Sequence, residues 1–229
     1  MIKAIFFDFN GVIIDDEPIQ MRAYREVLRE YDIDLTEEHY FAALGMDDKT
    51  FVRAMFERAR KKVTPTMVVE VQQGKTRLHR KMIEDELPLF PGVVTFLRAA
   101  SRRYSIGLVS MANIEEVRYV FERARLGPLF SVVVTAEDVQ ICKPAPDCYL
   151  RGLEKLNAKR QSERLLPLLA GECLAIEDSP PGIRSGREAG MRTLGVTNTV
   201  SESELRAAGA EVVTASLADW TTDAVGHLF

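Results

Sequence analysis

Short apolar runs recur along the chain, separated by segments whose apolar positions return every three or four residues. The runs are Lys3–Asp8, Ser105–Ser110, Ser131–Thr135, Cys173–Glu177 and Arg192–Val196. A short continuous apolar run is what a strand covered on both faces shows. Helical periodicity occupies Val93–Arg103, Ile114–Arg125, Pro146–Leu156 and Gly182–Ala189. Regular alternation of strand and helix predicts a parallel sheet with right-handed crossovers.

Residues 16–88 break this rhythm. They hold no convincing strand, and helix-start signals recur: Pro18, Thr36 before Glu37 and Glu38, and Thr64 before Pro65. A hydroxyl before a helix caps free N–H groups, and acids in the first turn suit the dipole. The expectation is an α/β protein in two parts. Residues 1–15 and 89–229 form a Rossmann-like parallel sheet with helices on both faces. Residues 16–88 form a smaller all-α cap inserted after the first strand, with linkers near 14–17 and 86–91. An insertion there hangs over the sheet edge where the first strand ends. That is the place for a lid that excludes water. The segment 165–169, with Pro167 inside it, reads as an irregular connection.

Composition narrows the function. Thirty basic against 34 acidic residues leave a net charge of -4, and no basic patch suited to a phosphate backbone stands out, so nucleic acid is not an expected partner. The cluster from Arg58 to Lys62 reads as a solvated helix end. No apolar run approaches a membrane span. Cys142, Cys148 and Cys173 form no CxxC pair, which suits reduced thiols in the cytoplasm. No feature predicts more than a monomer or weak dimer.

The chemistry sits at the strand ends. The first strand runs into Asp8, followed by Phe9, Asn10 and Gly11. The second ends in Ser110. After the third comes Lys143 in Lys-Pro-Ala-Pro-Asp. The fourth ends in Glu177-Asp178-Ser179-Pro180-Pro181-Gly182. In a parallel sheet these ends share one edge, where open α/β sheets bind ligands. A carboxylate, a hydroxyl, an ammonium and an acidic pair suit phosphoryl transfer. Carboxylates from two strands can hold Mg²⁺, Lys143 can neutralise phosphoryl oxygens, and an aspartate can be the nucleophile.

These four motifs resemble the haloacid dehalogenase superfamily over essentially the whole chain, and within it the phosphatases and β-phosphoglucomutase-like proteins with a helical cap. The resemblance implies a Mg²⁺-dependent hydrolase of a small phosphorylated metabolite. It makes Asp8 the nucleophile and a metal ligand. The backbone carbonyl of Asn10 and the side chain of Asp178 complete the ligand set, with Glu177 in support. Ser110 and Lys143 hold the phosphoryl group, and Met111 is a further substrate-binding residue.

Asn10 departs from the family pattern, Asp-x-Asp-Gly-x, whose second Asp moves protons. An amide cannot exchange a proton near neutral pH, and such assistance is typically worth about 10²–10⁴-fold. Three readings stand: a phosphatase with a good leaving group or a substitute acid (Asp15, Asp16 and Glu17 are close in sequence), a non-hydrolytic binder of a phosphorylated ligand, or an introduced Asp-to-Asn change. Among acids near the hinge, the resemblance gives Asp15 a structural part. Dehalogenases also lack the second Asp, but the Glu177–Asp178 pair favours a metal.

The stretch from Leu44 to Thr50 reads as a substrate-facing turn. Gly45 and Lys49 are its candidate substrate-binding residues, and Asp47 is a helix cap. β-Phosphoglucomutases carry a Lys before this Gly, an Arg after it and a His where this chain has Gln20. Their absence favours hydrolysis of a monophosphate, a sugar phosphate being one option, over mutase chemistry. Phosphonatases use a cap lysine, for which Lys49 is the nearest candidate. His39, His79 and His227 lack metal-ligand spacing and are expected at the surface or at helix ends.

Overall fold

The fold is described by a computed structural model covering residues 1–229. In chain order its regular elements are β1 (Ala4–Phe7), α1 (Glu17–Arg29), α2 (Glu37–Phe41), α3 (Asp48–Arg58), α4 (Pro65–Met82), α5 (Val93–Ala100), β2 (Ser105–Val109), α6 (Ile114–Ala124), β3 (Val132–Val134), α7 (Asp147–Ser162), β4 (Cys173–Glu177), α8 (Pro180–Glu188), β5 (Arg192–Val196), α9 (Glu202–Ala208), β6 (Val212–Thr214) and α10 (Thr222–Leu228). The sheet has the order β3-β2-β1-β4-β5-β6 and every pair is parallel. Strand order reverses beside β1, which is where such sheets open a crevice at their carboxyl ends.

Alternation within β1 builds both layers. Ile5 and Phe7 face one side, with Phe96 and Leu97 of α5 and Val117, Val120 and Phe121 of α6. Ala4 and Phe6 face the other, with Cys148, Tyr149 and Leu156 of α7. All four β1 side chains are fully buried, as a strand covered twice requires. The sequence reading misses β6. It is a three-residue edge strand with half-buried side chains, too short to carry a pattern. Helix α7 also runs on to Ser162, past the apolar stripe that ends at Leu156, because its last turn is solvated. The 165–169 segment is irregular, with Leu166 and Leu169 exposed.

The four helices from Glu17 to Met82 contain no strand and pack around their own apolar centre, including Tyr24, Leu28, Leu35, Phe51, Val52 and Phe56. Thr36, Asp47 and Thr64 cap α2, α3 and α4 through the N–H groups of His39, Thr50 and Met67. Two linkers join this cap to the sheet and run side by side. The Asp15 N–H donates to the Pro88 carbonyl (2.7 Å) and the Phe90 N–H to the Ile13 carbonyl (3.2 Å). No helix is long and apolar enough to cross a membrane.

Candidate active site

Register carries four motif residues to one edge. Phe7 pairs with Leu108 of β2 and Ile176 of β4, so the residues just beyond are level. The Asp8 N–H continues the ladder onto the Ile176 carbonyl (3.0 Å), and the Ser110 N–H onto the Val134 carbonyl (3.0 Å). Lys143 arrives from the loop before α7. Its ammonium lies 3.0 Å from Asp8 Oδ1 and 2.6 Å from Glu177 Oε1, and donates to the Val109 carbonyl at 3.3 Å. Lys143 is buried. Burial alone would lower its pKa, but Asp8 and then Glu177 more than offset this and hold the ammonium charged.

The acidic pair is strained electrostatically. One oxygen each of Asp8, Glu177 and Asp178 lie within 4.8 Å of one another, all buried. Burial and then the charge of Asp8 push Glu177 up to about 8, although Lys143 pulls it down. The same two causes raise Asp178 well above the usual carboxylate range. Glu177 Oε1 accepts from Lys143 and from the Tyr149 hydroxyl (2.6 Å), while its Oε2 is buried with no partner. Gly11 sits at φ +73°, and a Cβ there would fall 1.9 Å from the Asp178 carboxylate. Glycine is therefore required twice, for its dihedral and for the room it leaves. Three convergent carboxylates, one of them with an oxygen left unpartnered, are a donor set for a hard divalent cation.

Ser110 is buried, and its Oγ accepts from the Ala112 N–H (3.0 Å), which leaves its own proton free to donate. Asp8, Asn10, Ser110, Met111, Lys143 and Asp178 line a cavity of about 100 Å³ between sheet and cap. Gly45 lines it too, at φ +85°, and a Cβ there would meet Pro181 at 2.9 Å and Lys143 at 3.2 Å. Lys49 does not line it: Lys49 is exposed on α3, on the flank that Asp47 caps. That expectation is corrected, because the helix turns this side chain away from the cavity.

Glu17, Gln20, Tyr24, Tyr40, Asp48 and Lys75 line the cavity from the cap, and Glu116 from α6. Glu17 and Gln20 stand near the hinge in sequence, whereas Tyr24, Tyr40, Asp48, Lys75 and Glu116 are residues the sequence reading missed. Lys75 lies 2.9 Å from Glu116 and 3.1 Å from Asp48, and Asp48 also takes the Tyr24 hydroxyl. Asn113 donates to Asp48 (2.9 Å) and Glu116 (3.0 Å). Burial would raise Glu116, but Lys75 and then His79 hold it down at about 2. His79 lies in the last turn of α4, a helix end as expected, but not at the surface. It is buried, 2.7 Å from Asp16 Oδ2. The buried stripe of α4 runs Val68, Val71, Lys75, His79. Lys75 and His79 therefore occupy positions where a helix stripe faces its core, the one signal in sequence that could have found them.

The hinge reaches Asn10. Its Nδ2 donates to both oxygens of Asp16, at 2.9 and 3.0 Å, and Gln20 Nε2 donates to Asp16 at 2.9 Å and to Glu116 at 3.1 Å. Asp16 is fully buried, so its charge is held by three donors rather than by water.

A profile of haloacid dehalogenase-like hydrolases matches residues 2–190. The chain belongs to this hydrolase family. Among its relatives is a phosphorylated carbohydrates phosphatase of Thermotoga maritima, 27% identical over 206 residues, with 89% of each chain covered. Fructose-1-phosphate phosphatase YqaB of Escherichia coli is 28% identical, covering 84% of this chain and 95% of YqaB. The β-phosphoglucomutase structure from Clostridium difficile superposes with a TM-score of 0.86 at 22% identity, covering 100% and 97% of the two chains. An Asp-to-Asn variant of CbbY from Rhodobacter sphaeroides, in complex with xylulose-(1,5)bisphosphate, superposes at 0.79 with 24% identity and 96% of each chain. These two structural likenesses bear on the fold. As a haloacid dehalogenase-like enzyme with a helical cap, this chain is a phosphoric monoester hydrolase.

Proposed function

We propose that the enzyme hydrolyses the phosphate monoester of a small sugar, with Asp8 as the nucleophile. The observation that carries this reading is the Lys143 ammonium bonded at once to Asp8 and Glu177, beside Ser110 and the Asp178 carboxylate. Lys143 fixes the Asp8 carboxylate in place, 3.0 Å away, while neutralising phosphoryl oxygens. The Ser110 hydroxyl and nearby backbone N–H groups donate to those oxygens. Most of the rate then comes from positioning and preorganised charge. In the first step a P–O bond forms to Asp8 as the ester P–O bond breaks. In the second, water attacks phosphorus and frees Asp8.

The acidic cluster fits Mg²⁺, which Asp8, Asp178 and the backbone carbonyl of Asn10 would hold, with Glu177 in support. When bound, the ion neutralises phosphoryl charge. The cap, as residues 16–88, would close over the bound ester and exclude water. A sugar monophosphate is favoured by the names of the Thermotoga and YqaB relatives and by the cap wall itself. The cavity's only cap cation, Lys75, is already bonded to Asp48 and Glu116, so a second phosphate would meet no free positive charge there. Asn10 supports a second reading, an arrested homologue that binds the ester without turning it over.

The test is phosphate release from a panel of sugar phosphates with Mg²⁺, using the unaltered chain, Asp8→Ala and Asn10→Asp. Release by the unaltered chain that is lost in Asp8→Ala and in EDTA is the expected result. Release that survives Asp8→Ala overturns the reading. Release from Asn10→Asp alone favours the arrested homologue.

A further inference from the structure

An enzyme of this kind needs a group that gives a proton to the departing ester oxygen and later takes one from water. Asn10 cannot, and its amide is committed to Asp16. Asp16 lies behind it with no exposed surface. Five carboxyl groups line the cavity: Asp8, Glu17, Asp48, Glu116 and Asp178. Asp48 and Glu116 are tied to Lys75, Asn113, Thr76 and Tyr24. Asp8 and Asp178 belong to the acidic cluster. Glu17 is different. It opens α1 just past the hinge, is half-buried, and has one side-chain partner, the Tyr40 hydroxyl on Oε2 at 2.5 Å. Its other oxygen is free.

We infer that Glu17 is the proton-transfer residue of this enzyme, standing in from the cap for the acid absent at position 10. The inference rests on the phosphatase reading above. In the first step Asp8 bonds to phosphorus, the ester P–O bond breaks, and the leaving oxygen takes the Glu17 proton to become an alcohol. In the second, a water proton returns to Glu17 as the water oxygen bonds to phosphorus and the P–O bond to Asp8 breaks. Glu17 ends protonated as it began, and the products are alcohol and phosphate. Because Glu17 sits on the cap, proton transfer is available only when the cap is seated on the core.

The surroundings suit the task. Burial and then the neighbouring Asp16 charge push the Glu17 carboxyl up to about 7. Asp8 at the end of β1 pushes the same way, while Tyr40 on α2 and Lys75 on α4 pull it down. Asp178, after β4, also shares its field. A group poised near the working pH serves in both directions.

The experiment compares the unaltered chain with Glu17→Gln and Tyr40→Phe on fructose 1-phosphate and on p-nitrophenyl phosphate, whose leaving group departs without a proton. Glu17→Gln keeps the size and one hydrogen-bonding oxygen, and a melting curve checks its fold. The expected result is a loss of about 10²–10⁴-fold in kcat on the sugar ester with little change in KM. On p-nitrophenyl phosphate, phosphorylated Asp8 should form and accumulate, read as a mass increase. Tyr40→Phe, which removes the bond that lowers the Glu17 pKa, should move the alkaline limb of the pH profile upward. Two results overturn the inference while leaving the phosphatase intact: unchanged turnover in Glu17→Gln, or equal losses on both esters with no accumulating phosphoenzyme. An unaltered chain that neither releases phosphate nor phosphorylates Asp8 overturns the phosphatase reading and this inference together.

Discussion

Replacing Asn10 by Asp should destabilise the protein in a pH-dependent way. The Asn10 amide donates to both Asp16 oxygens at 2.9 and 3.0 Å. The substitution turns those contacts into oxygen facing oxygen. Two full charges at ~3 Å repel by about 5–6 kcal/mol at an effective dielectric near 20. The alternative is a shared proton. Keeping a carboxyl of reference pKa ~3.9 protonated at pH 7 costs about 4 kcal/mol, and about 1.5 kcal/mol at pH 5. The proton route is cheaper at pH 7, so the pair binds a proton there, and its O–H···O⁻ bond replaces the lost amide bonds. The folded variant then holds a proton that the unfolded chain releases. Its stability relative to the unaltered protein must fall as pH rises above about 4, and level off near pH ~8 where plain repulsion becomes the smaller cost. Urea denaturation at pH 5, 7 and 8 measures this. A deficit near 1–1.5 kcal/mol at pH 5 should grow to about 4 kcal/mol at pH 7, and Asn10→Asp with Asp16→Asn should recover most of it. A pH-independent deficit, or one under about 1 kcal/mol at pH 8, would refute the reasoning. It would mean that the new carboxyl swings into the cavity away from Asp16.

Mg²⁺ at a hundredfold excess over its Kd should add about 2.7 kcal/mol and raise Tm by roughly 5–10 °C, and Asp178→Asn should abolish the rise in a melting assay. Lys75→Met should cost about 3–5 kcal/mol at pH 7, because Glu116 and Asp48 are left buried without their cation. Glu116 has its folded pKa depressed to about 2. Its contribution is thus complete above an unfolded value of about 4.3 and is lost as pH falls toward 2, so the unaltered chain should lose stability over that window and Lys75→Met much less. Gly11→Ala should lower stability through its φ of +73° and displace the Asp178 carboxylate, read as a weaker Mg²⁺-induced rise in Tm with a lower baseline melt.

Much of the core was legible because its signals are local. A fully buried strand such as β1 must be apolar throughout, and the acid that ends it must lie at the sheet's carboxyl edge. Once Asp8, Ser110, Lys143 and the Glu177–Asp178 pair follow successive strands, parallel pairing brings them together whatever the loops do. β6 escaped because three half-buried residues at an edge carry no period. The cap wall escaped for another reason. Lys75, His79, Asp48 and Glu116 lie on three helices of two layers, and each alone reads as an ordinary helix polar residue. Only packing turns them inward, and the low-polarity interior then forces them to pair with one another.

Asn10 shows the division best. From the residue alone, the chain lacks the usual proton donor and acceptor; that follows from the chemistry of an amide. The amide's attachment to Asp16, the burial of His79 behind it and the place of Glu17 in the same cavity as Asp8 depend on how the cap sits on the sheet. The alternation of parallel strand and helix, the motif chemistry and the helical insertion were written in the sequence because hydrophobic period and strand-end residues are properties of short segments, whereas the strand order came from the tertiary structure. The partners of buried charges were decided by tertiary structure, because a charge removed from water takes whichever neighbour the packing brings within hydrogen-bond reach.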